Sequence, residues 1–149
     1  MVYLTRRYRF SAGHRLHNEA LSLEENRRLY GKCNNPHGHG HNYALEVTVA
    51  GSIDPATGMV CDLAVLDGIV EKEVLDPFDH MNLNVDVESF RHRVPTTENL
   101  GALIFDLLRN KLEGEGSKGV RLARVRLQET ESNSISCDGE PDGPRAGQK

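Results

Sequence analysis

Alternating apolar and polar side chains predict the strands of this chain. Three long segments show this alternation and are rich in β-branched and aromatic residues, which is typical of a strand with one buried face. They cover residues 2–10, 41–51 and 120–130. Shorter apolar segments at 59–61 and 134–137 predict two more strands, and the first of these follows a cluster of turn-forming residues, as in a hairpin.

Apolar residues at helical spacing predict two helices. The first has its apolar stripe within residues 63–74, with Asp62 as the N-cap, and ends before Pro77. The second begins at Thr96, and a short additional helix is predicted near 22–28. With the short segment 59–61 as an optional addition, the element order predicts an α+β fold in which two helices cover one face of a four-stranded antiparallel sheet. Uncovered sheet edges favour oligomerisation.

Composition narrows the class of protein. The chain has 149 residues, of which 38% are hydrophobic and 27% charged, and a net charge of -4. This balance is typical of a globular domain, and nucleic-acid-binding proteins usually have a basic surplus instead. The apolar runs are too short to span a bilayer, and the first residues lack the features of a signal peptide. Three cysteines cannot all pair within the chain, which favours a reducing cytoplasm.

The pattern along the chain predicts one domain followed by a short tail. Residues 1–138 contain every predicted helix and strand, without an internal repeat or a dividing linker. Residues 139–149 consist of turn formers and charged residues with little apolar surface to bury. This last segment is therefore predicted to be disordered.

Three of the seven histidines lie in one segment, His37-Gly38-His39-Gly40-His41, at the start of the second long strand. In an extended chain, residues i and i+2 point to the same side about 7 Å apart, so two imidazoles can share a metal ion. Residues i and i+4 are about 13 Å apart, so the segment supplies two ligands and not three. His14, among small residues at the end of the first strand, is a candidate for the third ligand, but it is also explained as a surface histidine. Three histidines with an open fourth position are typical of catalytic zinc.

Seven short motifs, taken in order, resemble the 6-pyruvoyl-tetrahydropterin synthase family. They run from about residue 3 to residue 137, which is most of the predicted domain. The motifs are Phe10-Ser11-Ala12-x-His14, Tyr30-Gly31-Lys32-Cys33-Asn34-Asn35-Pro36, Gly38-His39-Gly40-His41-Asn42-Tyr43, Asp54-Pro55-x-Thr57-Gly58-Met59-Val60, Asp79-His80-x-Asn82-Leu83-Asn84, Pro95-Thr96-Thr97-Glu98-Asn99 and Gln128-Glu129-Thr130.

The resemblance implies a zinc enzyme that acts on a pterin. Zinc would be held by the residues matching the family ligands, His14, His39 and His41, and would bind the side-chain hydroxyls of 7,8-dihydroneopterin triphosphate. The family fold is the tunnelling fold, in which sheets join edge to edge into a trimeric barrel and two trimers stack. We therefore expect a homohexamer with active sites at subunit interfaces.

The resemblance also implies roles for a cysteine and an aspartate–histidine pair. Cys33 matches the base that removes a side-chain proton, and Asp79 with His80 matches the proton relay. Zinc nearby would favour the thiolate, and the aspartate would fix the histidine tautomer. Cys33 as a fourth zinc ligand or an inert thiol, and Asp79 as a turn cap, are the competing interpretations.

Glu129, Thr96 and Thr97 match the part of the family site that binds the pterin. Glu129 matches the anchor that accepts hydrogen bonds from the ring amino group and the adjacent N–H. A charged residue on the apolar parity of a strand is costly unless it is paired, although a salt bridge at the rim also explains it. The role of Thr96 as an N-cap needs no ligand. The remaining histidines and cysteines, His17, His92, Cys61 and Cys137, are predicted to have no role.

The family has two activities on this substrate, and the spacing fits both. One activity releases triphosphate and forms 6-pyruvoyl-tetrahydropterin, and its members tend to carry Cys-x5-His-x-His, as in Cys33, His39 and His41. The other releases acetaldehyde and forms 6-carboxy-tetrahydropterin for 7-deazapurines, with Cys-x3-His-x-His, as in Cys33, His37 and His39. We favour the pyruvoyl activity because His41 leads straight into the strand. A non-catalytic module that binds zinc or a pterin is the third hypothesis.

Overall fold

Five strands form one mixed sheet in the computed structural model, which describes residues 1–114 and 118–139. The order across the sheet is β3-β1-β2-β4-β5, and neighbours are antiparallel except for β3, which is parallel to β1. The strands are β1 Val2–His14, β2 His39–Gly51, β3 Met81–Asn82, β4 Arg121–Thr130 and β5 Asn133–Asp138. Apart from Gly139, the tail predicted at 139–149 lies outside the described residues.

The prediction of four antiparallel strands was wrong in two places. Residues 59–61 form no strand, because the turn closed by Asp54 N–H and Met59 O at 2.9 Å leads directly into the next helix. The strand β3 was missed because two residues are too short to show any alternation. It is held by pairing with Ala12 and Gly13 of β1.

The helices lie mainly between β2 and β4 in the chain. They are α1 Leu23–Tyr30, α2 Leu63–Val70, α3 Asp76–Phe78, α4 Leu83–Asp86 and α5 Thr97–Leu112, with 3₁₀ turns at Gly31–Asn34 and Glu88–Phe90. A π-helical segment, Glu71–Leu75, joins α2 to α3, so the helix predicted to end before Pro77 continues to Phe78. Pro77 is the penultimate residue of this continuous helical stretch, which ends at Phe78. No helix within the described ranges has the length and hydropathy needed to cross a membrane.

The core lies between one face of the sheet and the helices α2 and α5. Inward side chains of the sheet and the apolar stripes of both helices are fully buried, among them Leu45, Val47, Val125, Leu127, Leu66, Val70, Leu100, Ile104 and Leu108. The opposite face of the sheet is polar. There Glu46 accepts hydrogen bonds from Arg7 at 2.9 Å and from Arg126 at 3.1 Å.

Strand register places the candidate residues together at one end of the sheet. The last residue of β1, His14, lies opposite the first residue of β2, His39, and Ala12 lies opposite His41. On the other side of β2, Ala44 pairs with Gln128 near the end of β4. Glu129 therefore reaches the same end of the sheet as the histidines.

Candidate active site

Three histidines converge on the inner face of the sheet. His14, His39 and His41 each offer one ring nitrogen, and these three nitrogens lie within 4.8 Å of one another. The ring centroids are 4.7 to 5.1 Å apart. His37, two residues before His39, is exposed and does not join this cluster. The structure therefore assembles the register of His39 and His41 rather than that of His37 and His39.

The cluster fits a tetrahedral metal ion. Zinc–nitrogen bonds of about 2.0–2.1 Å place two ligand nitrogens about 3.3 Å apart. The Nε2 atoms of His14 and His39 are 3.1 Å apart. Two other ring nitrogens, Nδ1 of His39 and Nε2 of His41, are buried without a hydrogen-bond partner in the described structure. Unpaired buried nitrogens are costly, and metal coordination would satisfy those that face the ion.

A backbone carbonyl fixes the tautomer of His14. Nδ1 of this ring lies 2.8 Å from the carbonyl oxygen of Pro95, which can only accept a hydrogen bond. Nδ1 must therefore carry the proton, and the lone pair of Nε2 points toward His39. This second contact orients the ring as metal-binding histidines require. Sequence reasoning missed Pro95, because only the fold brings its carbonyl to β1.

Burial favours the neutral, metal-binding form of two of the three histidines. The pKa of His14 is lowered from its usual value, mainly because the side chain is buried. The pKa of His41 is lowered for the same reason, although the Glu129 carboxylate opposes this effect. Neutral imidazoles have a free lone pair, so at neutral pH His14 and His41 are ready for a cation.

The glycine between His37 and His39 is required by the close approach of two chains. Gly38 has a φ of +71°, and a Cβ atom added there would lie 2.8 Å from the carbonyl oxygen of His14. Only glycine fits both the positive φ and the contact. Packing alone therefore accounts for glycine at position 38, whatever the neighbouring histidines bind.

Glu129 lies beside the histidine cluster on the inner face of β4. One carboxylate oxygen accepts a hydrogen bond from the Thr97 hydroxyl, and the other lies 3.5 Å from Nε2 of His41. The Glu129 side chain is only 14% exposed. It is thus a nearly buried carboxylate held at the edge of the cluster by Thr97.

The two threonines predicted near the pterin have different contacts. Thr96 is the N-cap of α5, and its hydroxyl accepts a hydrogen bond from Asn99 N–H at 3.1 Å. Thr97 is buried and points to Glu129 instead. The structure therefore brings Thr97 to the site and gives Thr96 a capping role.

A buried tyrosine below the cluster was not predicted. Tyr43 continues the parity of His39 and His41 along β2, and its ring centroid is 5.8 Å from that of His41. Its hydroxyl is buried without a hydrogen-bond partner among the described residues. Burial, with a smaller contribution from Glu129, raises the pKa of Tyr43 above its usual value. The phenol therefore stays neutral and can donate a hydrogen bond into the site.

Asp79 and His80 form a pair at the sheet edge, next to β3. One Asp79 carboxylate oxygen lies 2.9 Å from Nδ1 of His80 and accepts the backbone N–H of Ser11 at 2.9 Å. The hydrogen bond from the Ser11 N–H lowers the pKa of Asp79, and the nearby His80 ring lowers it further. The carboxylate therefore stays charged and orients the ring.

The backbone of His80 is strained. Its φ is +62°, and among described non-glycine residues only Lys118 also has a positive φ. The N–H of His80 donates to the Ser11 carbonyl at 2.6 Å, which holds this conformation. Strain of this kind is concentrated at functional sites, and the ring is 82% exposed. With His41, His80 also lines a cavity of about 390 Å³.

Cys33 lies in the 3₁₀ turn after α1, away from that cavity. Its carbonyl accepts the backbone N–H of Leu16 at 2.9 Å, two residues beyond His14. Its thiol is partly buried and free of disulfides, and it is not part of the histidine cluster. Cys33 therefore lies close to the segment that follows His14, but it does not line the cavity that includes His80.

Comparison with known proteins identifies the family. A sequence model of 6-pyruvoyl tetrahydropterin synthase matches residues 3–140. The chain belongs to this family. The human 6-pyruvoyl tetrahydrobiopterin synthase is 50% identical over 137 residues, which cover 92% of this chain and 91% of the human protein. The Drosophila melanogaster protein of the same name is 47% identical over 93% of this chain and 80% of its own length.

A solved structure of the same family supports the fold. The Caenorhabditis elegans 6-pyruvoyl tetrahydropterin synthase superposes with a TM-score of 0.85 at 42% identity, covering 93% of this chain and 96% of that protein. The α+β architecture described above is therefore that of a 6-pyruvoyl tetrahydropterin synthase family member. The family resemblance read from the seven motifs is confirmed.

Proposed function

We propose that this protein is a zinc-dependent lyase that converts 7,8-dihydroneopterin triphosphate to 6-pyruvoyl-tetrahydropterin with release of triphosphate. The observation that carries the proposal is the cluster of three histidine nitrogens within 4.8 Å, placed beside the nearly buried Glu129. The relatives at 47–50% identity over nine tenths of the chain have names that specify this product. The family match covers all the residues involved.

His14, His39 and His41 are the residues that would hold zinc. Three neutral imidazoles fill three positions of a tetrahedral ion and leave the fourth for substrate oxygens. Zinc bound there supplies Lewis acidity toward the hydroxyls of the substrate side chain and favours loss of the neighbouring C–H protons. Pro95, by fixing the His14 tautomer, keeps one of these lone pairs directed at the ion.

Glu129 anchors the pterin in this proposal. Its carboxylate accepts hydrogen bonds from the ring amino group and the adjacent N–H, and Thr97 holds it in place. A nearly buried carboxylate gains most from donors that replace the lost water, so a ring with two adjacent N–H groups suits it. Because Glu129 lies 3.5 Å from His41, a pterin bound there would point its side chain at the metal-binding nitrogens.

Proton transfer is assigned to Cys33 and to the pair of Asp79 and His80. Cys33, as the thiolate, accepts a proton from the substrate side chain. His80 moves the second proton, with its tautomer set by the Asp79 carboxylate 2.9 Å away. The side-chain carbon next to the ring is oxidised to a ketone as the pterin ring takes up its electron pair and two protons. Loss of the second carbon-bound proton then expels triphosphate, which takes the bonding electrons of its C–O bond. The resulting enol becomes the second ketone when its terminal carbon is protonated to a methyl group.

Product analysis is the decisive test of this function. We expect the protein, incubated with 7,8-dihydroneopterin triphosphate, to yield inorganic triphosphate and 6-pyruvoyl-tetrahydropterin, identified by mass. The expectation rests on the histidine cluster. It contains His39 and His41, the two histidines of the Cys-x5-His-x-His pattern, and it leaves His37 exposed. The variant Cys33→Ala is the control, since it should keep the fold and lose turnover. Acetaldehyde with 6-carboxy-tetrahydropterin would identify the other branch, and full activity of Cys33→Ala would contradict the assigned base.

The sheet edges support assembly into a barrel. Among the described residues, β3 pairs with only Ala12 and Gly13 on the side of β1 away from β2, and Asp79 and His80 bond the backbone of Ser11, so residues 2–10 leave an open edge. The other edge is formed by β5. Both edges carry unpaired backbone donors and acceptors, which a neighbouring copy of the chain would satisfy.

We expect a homohexamer of two stacked trimers, measured by light scattering coupled to size-exclusion chromatography. A trimer would still agree with edge-to-edge closure of the sheets. Hydrogen exchange gives a matched readout, because residues 2–9 of β1 should be protected in the assembled protein although the single chain leaves that edge open. A stable monomer with full activity would rule out both the barrel and active sites shared between subunits.

We also infer a cytoplasmic location. All three cysteines, Cys33, Cys61 and Cys137, are free thiols. Burial raises the pKa of Cys61 and Cys137, so both are protonated and unreactive at neutral pH. A chain that needs one free thiol for catalysis and keeps two others reduced is suited to a reducing compartment.

A further inference from the structure

A second cavity carries an unusual concentration of basic side chains. Its volume is about 410 Å³, within the range of ligand pockets. Six of its lining residues are basic, and they are Arg15, His17, His37, Arg91, His92 and Arg93. Glu19 is the one acidic residue in the described lining. The chain as a whole has a net charge of -4, so this cavity is a local reversal of the overall charge.

The cavity adjoins the histidine cluster through the backbone. Gly38 lines it and is the residue before His39, and Val94 lines it and precedes Pro95, whose carbonyl holds His14. Asn82 lines both this cavity and the one that His41 and His80 share. None of the three clustered histidines lines the basic cavity, but Asn82 joins this cavity to the one that His41 lines.

The guanidinium groups of the cavity differ in how they are partnered. Arg91 forms an ion pair with Glu88 at 2.6 Å, and Arg15 donates from Nε to the carbonyl of Asn34 at 3.1 Å. Arg93 forms no ion pair with any carboxylate in the described part of the chain. An exposed arginine that lines a cavity without a counter-charge is a ready partner for an anion.

One histidine of the cavity is fixed as a hydrogen-bond donor. The amide nitrogen of Asn34 donates to the Leu16 carbonyl at 2.8 Å, which sets the orientation of the amide. The same nitrogen lies 2.9 Å from Nδ1 of His17, so that ring nitrogen accepts. The proton of neutral His17 is therefore on Nε2, which remains available to donate to a ligand oxygen.

We propose that this cavity binds the triphosphate chain of the substrate, with Arg93 as its principal contact. The proposal rests on the function proposed above, because the triphosphate is the part of that substrate that carries the charge. The side-chain hydroxyls belong at the three histidines, and the phosphate ester is on the same short side chain. The triphosphate must therefore lie within a few bonds of the cluster, and the basic cavity meets the cavity lined by His41 at Asn82. The planar guanidinium group of arginine matches phosphate oxygens in charge and geometry.

The test compares Arg93→Gln with Arg28→Gln. Both remove one arginine charge, but Arg28 is exposed on α1 outside the cavity. Binding of inorganic triphosphate is measured by calorimetry, together with kcat/KM for the full substrate. Metal content is determined before and after each titration, because triphosphate chelates divalent cations. Loss of one charge-assisted contact should weaken triphosphate binding and lower kcat/KM about ten-fold or more in Arg93→Gln. Arg28→Gln should match the wild type.

The outcomes separate this proposal from the proposed function. Support requires that inorganic triphosphate compete with the substrate, and that Arg93→Gln leave the affinity for unphosphorylated dihydroneopterin unchanged. Equal triphosphate affinity in Arg93→Gln and the wild type would overturn the site. Weaker binding in Arg93→Gln without competition would overturn the assignment to the substrate and leave a separate polyphosphate site. Arginine-dependent binding of triphosphate by a protein that turns over no pterin would support the anion site and contradict the lyase.

Discussion

His39→Ala and His41→Ala should each release the bound metal and stop turnover, whereas His37→Ala should keep the metal bound. Removing one of three protein ligands takes away a bond to the ion, and loss of even an outer-shell contact typically costs 10- to 100-fold in metal affinity. We therefore expect each ligand variant to lose more than about 100-fold in affinity. Metal content after dialysis, measured by mass spectrometry, reports the result directly.

These variants suit the test because of where the side chains lie. His39 and His41 are less buried than His14, so the fold should persist in their alanine variants, which circular dichroism would verify. His14 is 1% exposed and bonded to Pro95, so its removal would disturb packing as well as the metal. His37→Ala is the matched control from the same segment. Loss of metal in His37→Ala, with retention in His41→Ala, would mean that the register of His37 and His39 binds the ion.

The alternation of side chains along the strands was enough to predict that His39 and His41 share one face. Which further residue joins them depends on strand pairing, and a local sequence pattern does not determine how strands pair. His14 comes opposite His39 only because β1 and β2 are antiparallel in one register. A shift of one residue would turn His14 to the other face. The family resemblance, and not periodicity, supplied that third ligand.

The features that were missed share one physical cause, which is that they depend on contacts distant in sequence. The strand β3 exists because two residues happen to run beside Ala12 and Gly13, and no propensity marks them. The strand predicted at 59–61 was wrong for the opposite reason. Its three residues have a local apolar pattern, but they lead into the helix that Asp62 caps and form no strand. Likewise, the basic cavity collects side chains from segments more than 70 positions apart. Each histidine in it was predicted to be without a role or to be only a metal ligand.

The threonines show how much one residue of helical register decides. Sequence matching treats Thr96 and Thr97 alike. In the structure the N-cap position turns the Thr96 hydroxyl toward the backbone of α5, and the next position turns Thr97 toward Glu129. Helix geometry therefore separates a residue that stabilises the fold from one that touches the site.

Mixing two inactive variants should restore activity if the proton-transfer groups come from neighbouring subunits. Cys33→Ala and His80→Ala should each lower turnover by about 10²- to 10⁴-fold, because each removes one acid–base group. Both should keep the metal and the assembly, since neither residue joins the histidine cluster. Within one chain, Cys33 packs against the segment after His14, while His80 is 82% exposed at the sheet edge. An exposed ring at an open edge is available to an adjoining copy.

The fraction of activity that mixing should restore can be calculated. With random exchange in a symmetric assembly, a site that takes Cys33 from one chain and His80 from its neighbour is intact in about a quarter of cases. If both groups come from one chain, every chain carries a defect and no activity returns. Mixing wild type with the double variant, Cys33→Ala and His80→Ala together, is the control: about a quarter of the sites are intact in a shared arrangement and about half in a single-chain one. Native mass spectrometry verifies the exchange, and mixed assemblies that stay inactive would place both groups in the same subunit.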